Sequence, residues 1–131
     1  MGFNITNVII VSFFCFFTSC RPLGPSKIKL VDQFQLNKDK PDEWSLSCKL
    51  GCKQYPDLQS VKHVRWNKKV IIVKNLSSRG YDKIIQWYII YSKEHDLKCC
   101  TYGTVIGPID SLGVEDFILN NNITDYKLLN F

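Results

Sequence analysis

The sequence predicts an all-β sandwich, on three observations. Trp44, Leu46, Cys48, Leu50 and Cys52 alternate without interruption against Ser45, Ser47, Lys49 and Gly51, the period-2 pattern of a half-buried strand with cysteine on its inner face. Short runs rich in β-branched and aromatic residues, at 61–66, 70–73 and 84–91, recur between polar turns. No segment reads as an amphipathic helix.

The chain opens on residues 1–20 without a Lys, Arg, Asp or Glu, and its apolar run 8–17 gives way to Thr18, Ser19 and Cys20. That is the layout of a secretory signal peptide cut before Arg21, although a basic start is missing. A retained signal anchor and a lipoprotein box ending at Cys20 are the competing readings. Every charged residue lies after residue 20, with 17 Lys and Arg against 12 Asp and Glu and a net charge of +5. No later apolar run approaches the roughly 20 residues that span a bilayer. The expected product is one domain, secreted through the endoplasmic reticulum lumen and without a membrane span.

Residues 21–26, with Pro22, Gly24 and Pro25, form an extended lead, and the domain occupies 27–131. Residues 27–36 alternate Ile28, Leu30, Asp32, Phe34 and Leu36, apolar except for Asp32, against Lys27, Lys29, Val31, Gln33 and Gln35, polar except for Val31, and read as a first strand. A polar turn at 37–43 precedes the strand 44–50, which should break at Gly51. After a loop at 53–60 comes the strand 61–66, with Val64 and Trp66 facing one way and His63 and Arg65 the other. Residues 67–69 turn, 70–73 resume as a strand, and 74–83, with Ser77, Ser78 and Gly80, read as a loop. Residues 84–91 suit a sheet interior. A charged turn at 92–96 leads to a strand at 97–106, broken by Gly107-Pro108 and the residues to Gly113. A last strand falls near 126–131, giving about seven strands in all.

Six cysteines become four after cleavage, Cys48, Cys52, Cys99 and Cys100. An even count in an exported domain points to two disulfides; the spacing fits a tetrahedral zinc site poorly. Neighbours on a strand face opposite sides, so one of Cys99 and Cys100 points inward. Leu97 shares a face with Cys99, which favours Cys48–Cys99 and Cys52–Cys100. The swapped pairing stays open, because strand phase at a vicinal pair shifts with a one-residue slip.

Trp66 lies between the cysteine sites, and the expected core is Leu46, Val64, Trp66 and Leu97. The order Cys48…Trp66…Cys99 resembles an immunoglobulin-like domain over about 27–131. The resemblance implies an immunoglobulin-like β-sandwich, with Leu46-Ser47-Cys48 as its second strand, Val64-Arg65-Trp66 its third and Leu97-Lys98-Cys99-Cys100 its sixth. No Tyr stands two residues before either downstream cysteine, so the usual tyrosine corner is missing. With its signal, second disulfide and single compact domain, the chain resembles the secreted immunoglobulin-like accessory proteins of coronaviruses and of some large DNA viruses. That resemblance implies a partner among host immune or cell-surface proteins.

Other chemistry is sparse. A chemokine would need two cysteines downstream of Cys99-Cys100, and none follows. His63, on an outer strand face, and His95, in a charged turn, read as solvated histidines with no nucleophile and carboxylate arranged around them. No glycine-rich phosphate loop or informative carboxylate pair occurs, so the sequence predicts neither enzymatic activity nor a cofactor. Lys62, Arg65, Lys68, Lys69, Lys74 and Arg79 make the middle of the chain basic, which suits either a solvated sheet face or a patch for an acidic glycan or protein. The secretory route argues against nucleic acid. Asn75-Leu76-Ser77 and Asn122-Ile123-Thr124 are glycosylation sequons expected in loops. Trp87 or Tyr88 would anchor a partner if exposed. The expected function is thus a secreted, non-enzymatic binding protein that modulates a host response. A soluble cytokine or receptor decoy and a self-associating structural component are the alternatives.

Overall fold

The computed structural model describes Gly24 and residues 26–31, 34–48, 58–92 and 105–131. The expected signal peptide, and with it Cys52, His95, Leu97, Cys99 and Cys100, lies outside the described residues, as do both expected disulfide partners of Cys48. Strands β1 (Lys27–Lys29), β2 (Phe34–Lys40) and β3 (Glu43–Cys48) form a three-stranded antiparallel sheet in that order. Strands β4 (Val61–Trp66), β5 (Val70–Arg79), β6 (Asp82–Tyr91), β7 (Val105–Ile109) and β8 (Lys127–Asn130) form a second, five-stranded one in the order β7-β6-β5-β4-β8. Among the described residues one helix, α1 (Ser111–Asn120), stands between β7 and β8.

The alternation of 44–48 becomes the inner face of the small sheet. Trp44 and Leu46 are buried and Cys48 packs against the same cluster. Ser47 turns outward, where its hydroxyl meets the Asn37 amide at 2.6 Å and Asn37 in turn accepts from Gln35. Phe34 and Leu36 of β2 join Trp44 and Leu46 on the inner face. Against them the large sheet sets Val61, Val64, Trp66, Ile71, Val73 and Ile90, and this is the main core. Leu58, 1% exposed, accepts a backbone hydrogen bond from Leu46 at 3.0 Å just before the chain enters β4 in the other sheet. The four-residue run Val70 to Val73 is buried throughout. An uninterrupted apolar strand means both faces are covered, and the second cover is α1: its Val114, Phe117 and Ile118 pack with Ile72, Trp87, Ile89 and Ile109.

Four expectations are corrected. The strand expected over 27–36 is two antiparallel strands, since the chain reverses between Lys29 and Phe34, with Leu30 donating to the Phe34 carbonyl. Their residues keep one alternation across the reversal, so periodicity alone could not reveal it. The loop expected at 74–83 is a continuous hairpin. β5 and β6 pair from Val70↔Tyr91 to Arg79↔Asp82, closed by Gly80-Tyr81 with Gly80 at φ +66°. Positive φ at the first turn position is what a primed two-residue hairpin requires. The polar residues there reflect solvent on the hairpin rather than a lack of pairing.

Gly107-Pro108 does not end a strand but sits inside β7, at a bulge between the pairs Ile89↔Ile106 and Trp87↔Ile109. A Cβ on Gly107 would come within 2.7 Å of the Trp87 carbonyl oxygen and of Tyr88 Cδ1, so only glycine fits this approach. Proline at a bulge of an edge strand also blunts that edge against pairing. Lastly, a helix is present where none was expected. Asp110 caps it by accepting from the Gly113 amide at 2.9 Å, and Val114, Phe117 and Ile118 supply the i, i+3, i+4 spacing of its buried stripe. At ten residues, with Leu112 and Leu119 exposed on the solvent side, its amphipathic signal is diluted.

Candidate functional site

The outer face of the large sheet, beside α1, collects the polar chemistry of the fold. Pairing places Asn130 of β8, His63 of β4, Lys74 of β5 and Trp87 of β6 in one cross-strand row. The next row runs Leu128, Arg65, Ile72, Ile89. Side chains along one face of antiparallel strands are direct neighbours, and their contacts follow. Lys74 Nζ lies 5.6 Å from the centre of the Trp87 ring, and the His63 ring meets the same indole edge-on at 5.5 Å. The Arg65 guanidinium covers the Tyr126 ring at 5.4 Å. Each cation–π contact stabilises by about 0.5–1 kcal/mol at partly exposed sites.

His63 is fixed from two sides. Arg65 Nε donates to Nε2 at 2.7 Å, and Nδ1 bonds Oδ1 of Asn130. Burial, with the positive Arg65 and Lys74 nearby, lowers its pKa from the ordinary 6.5, against the opposing effect of its hydrogen bond to Asn130. The expected solvated histidine is instead a half-buried, neutral acceptor.

A cleft of about 510 Å³ adjoins this face at the end of the sandwich. Its lining includes Lys68 and Lys69 from the β4–β5 turn and Asp125, Tyr126 and Lys127 from the segment entering β8. Asn67 shapes the turn, accepting from the amides of Lys69 and Val70 at 2.8 and 2.9 Å. Tyr126 belongs to both the cleft and the Arg65 stack. Among the described residues the only ion pair is Lys40–Glu43, at 3.2 Å and remote in the chain, so none of the described carboxylates forms an ion pair with Arg65, Lys68, Lys69, Lys74 or Lys127.

The structure therefore divides the basic residues of the middle chain. Arg65 and Lys74 share the outer face, Lys68 and Lys69 the adjoining cleft, while Lys62 lies at the β4 bulge and Arg79 at the far end of the hairpin. Trp66, Leu46 and Val64 are buried in the main core. Asn75 is not in the expected loop: it stands within β5, 6% exposed, with Oδ1 lacking a hydrogen-bond partner. Asn122 is exposed in the turn after α1 with φ +50°. Neither proposed anchor is exposed. Trp87 is 9% exposed and packs toward α1, and Tyr88 is half-buried against the main core. The exposed aromatics among the described residues are Tyr81, at the hairpin tip, Tyr126 and Phe131; the polar setting of Tyr81 and Tyr126 hid them. Among the described residues no three His, Cys, Asp or Glu side chains are grouped to hold a metal ion, and no helix is long and apolar enough to cross a membrane. No protein-family model, curated protein or solved structure matches the chain.

Proposed function

We propose that this chain is a secreted, non-enzymatic binding protein, an immunoglobulin-like sandwich tied by two disulfides, that engages a host immune or cell-surface protein as viral accessory proteins do. The observation that carries the reading is the free hairpin. β5 and β6 continue past their neighbours: β4 last pairs β5 at Asn75, and β7 last pairs β6 at Trp87. The two-stranded arm beyond these points exposes Tyr81, Ile84 and Ile85. An extended arm whose edges have no strand partner among the described residues, with exposed apolar side chains, is suited to strand addition or to a flat protein contact.

The immunoglobulin-like type is supported by Cys48 and Trp66 lying in one core cluster on facing sheets. It also carries a departure. The strand beside the Trp66 strand is β8, at 127–130, where the resemblance would put 97–100.

The test is binding of the purified, secreted protein to intact host leukocytes, read by flow cytometry. Saturable binding abolished by trypsin treatment of the cells, and lost when Ile84→Ser and Ile85→Ser are combined, is the expected result. Binding that ignores both treatments would overturn the reading. A chain that self-associates through the arm, seen as a higher oligomer on gel filtration, would favour the structural role instead.

A further inference from the structure

We propose that the outer face of the large sheet, from Lys74 through Arg65 to the Lys68–Lys69–Lys127 cleft, binds a sulfated glycosaminoglycan chain. This surface is separate from the hairpin arm. Its assignment to a glycan rather than a nucleic acid rests on the secretory reading above.

Three features argue for a linear polyanion. Two cations, Lys74 and Arg65, stand on the sheet face and three more line the adjoining cleft, so the positive charge extends from one to the other. Lys74 and Arg65 sit diagonally on neighbouring strands, Tyr126 stands just before β8 with its ring under Arg65, and Lys68, Lys69 and Lys127 line the cleft that Tyr126 also lines. Strands are spaced about 4.8 Å apart, so Lys74 and Arg65, on neighbouring strands, meet nearby groups of an extended chain that runs on to the cleft. The cations also lack carboxylate partners among the described residues; Asp125 is the one acidic residue lining the cleft. Like charges placed as cross-strand neighbours repel, and an incoming sulfate relieves that repulsion.

The third feature is the aromatic content of the track. Tyr126, 37% exposed, offers ring surface to the apolar face of a sugar, while Arg65 above it presents guanidinium donors that match the oxygens of a sulfate. His63 adds a coupling. In the free protein it occupies Arg65 Nε as an acceptor. A sulfate at Arg65 competes for that donor and favours the protonated ring, so binding takes up a proton and strengthens as pH falls. The charged groups facing His63 are Arg65 on its own strand and Lys74 on β5. Its neighbours on β8 and β6, Asn130 and Trp87, carry no charge.

The experiment measures affinity of the full secreted protein for a heparin-derived octasaccharide, with sialyllactose and single-stranded DNA as comparison ligands. Combined Arg65→Gln and Lys74→Gln is expected to weaken octasaccharide binding about tenfold or more, the scale for losing two ionic contacts with a polyanion. Combined Arg79→Gln and Lys83→Gln, which removes the same charge at the hairpin tip, is expected to change it less than about twofold by the same rule. Lys68→Gln with Lys69→Gln, both in an exposed turn, repeats the test at the cleft end without touching the sheet. Equal losses from the track and tip variants would reduce the effect to net charge and overturn the proposal. So would preference for sialyllactose, equal dependence of DNA binding on Arg65 and Lys74, or no octasaccharide binding at physiological salt. Trypsin-sensitive cell binding through the arm could survive any of these, so the two proposals fail separately.

Discussion

Arg65 donates from Nε to Nε2 of His63 across 2.7 Å. A guanidinium can only donate, so Nε2 carries no proton and Nδ1 does, donating to Asn130. The contact with Arg65 thereby sets both the tautomer and the charge of the histidine, and the bond to Asn130 ties β4 to the edge strand β8.

That relationship fixes a pH dependence. The folded His63 has its pKa lowered from 6.5, chiefly by burial and further by Arg65 and Lys74. The unfolded chain takes up the proton first as pH falls, so the stability held above about pH 6.5 is lost as pH drops through the lowered folded value. Urea denaturation between about pH 7.5 and 5 should show this decline, and His63→Gln should flatten it. An unchanged slope in the variant would assign the pH dependence elsewhere.

The two glycines of positive φ, Gly80 in the hairpin turn and Gly107 in the β7 bulge, should differ in cost. Ala at Gly80 meets nothing within 4 Å and bears only the φ of +66°, so a loss of about 1 kcal/mol is expected. Ala at Gly107 adds a collision with the Trp87 carbonyl to a φ of +139°, and should cost more than about 2 kcal/mol. Equal urea midpoints for the two variants would contradict the β7 bulge.

The helix is a packing layer rather than a decoration. Val114→Ala removes buried methyl groups from a 3% exposed site over Ile72 and Ile89, and should lower stability by about 2 kcal/mol. Leu119→Ala, at 73% exposure, should leave it within about 0.5 kcal/mol. If both variants melt alike, α1 does not cover the sheet.

The two sequons separate by burial. In a eukaryotic secretory host, Asn122→Gln should remove a glycan's mass, because Asn122 is exposed in a turn. Asn75→Gln should leave the glycan mass unchanged, because Asn75 is buried within β5. A glycan mapped to Asn75 in folded protein would require β5 to end before it.

What the sequence determined by itself was local and periodic. The alternation at 44–48 and 61–66 marked which residues face inward, and Trp44, Leu46, Val64 and Trp66 are buried accordingly. Asn67-Lys68-Lys69 marked a turn, and 126–131 a final strand, now β8. Arg65 and His63 were legible as outward-facing. What the tertiary structure decided was which neighbours each element has. Nothing in residues 127–130 announces that they pair with β4, yet that pairing brings Asn130 and Tyr126 to His63 and Arg65. Polar residues at 74–83 read as a loop until pairing made them an arm, and Val70 to Val73 gave no hint of which layers cover them. Periodicity reports the environment of one element at a time. The candidate site is built from side chains of β4, β5, β6 and β8, so its geometry exists only once strand order and register bring distant segments together.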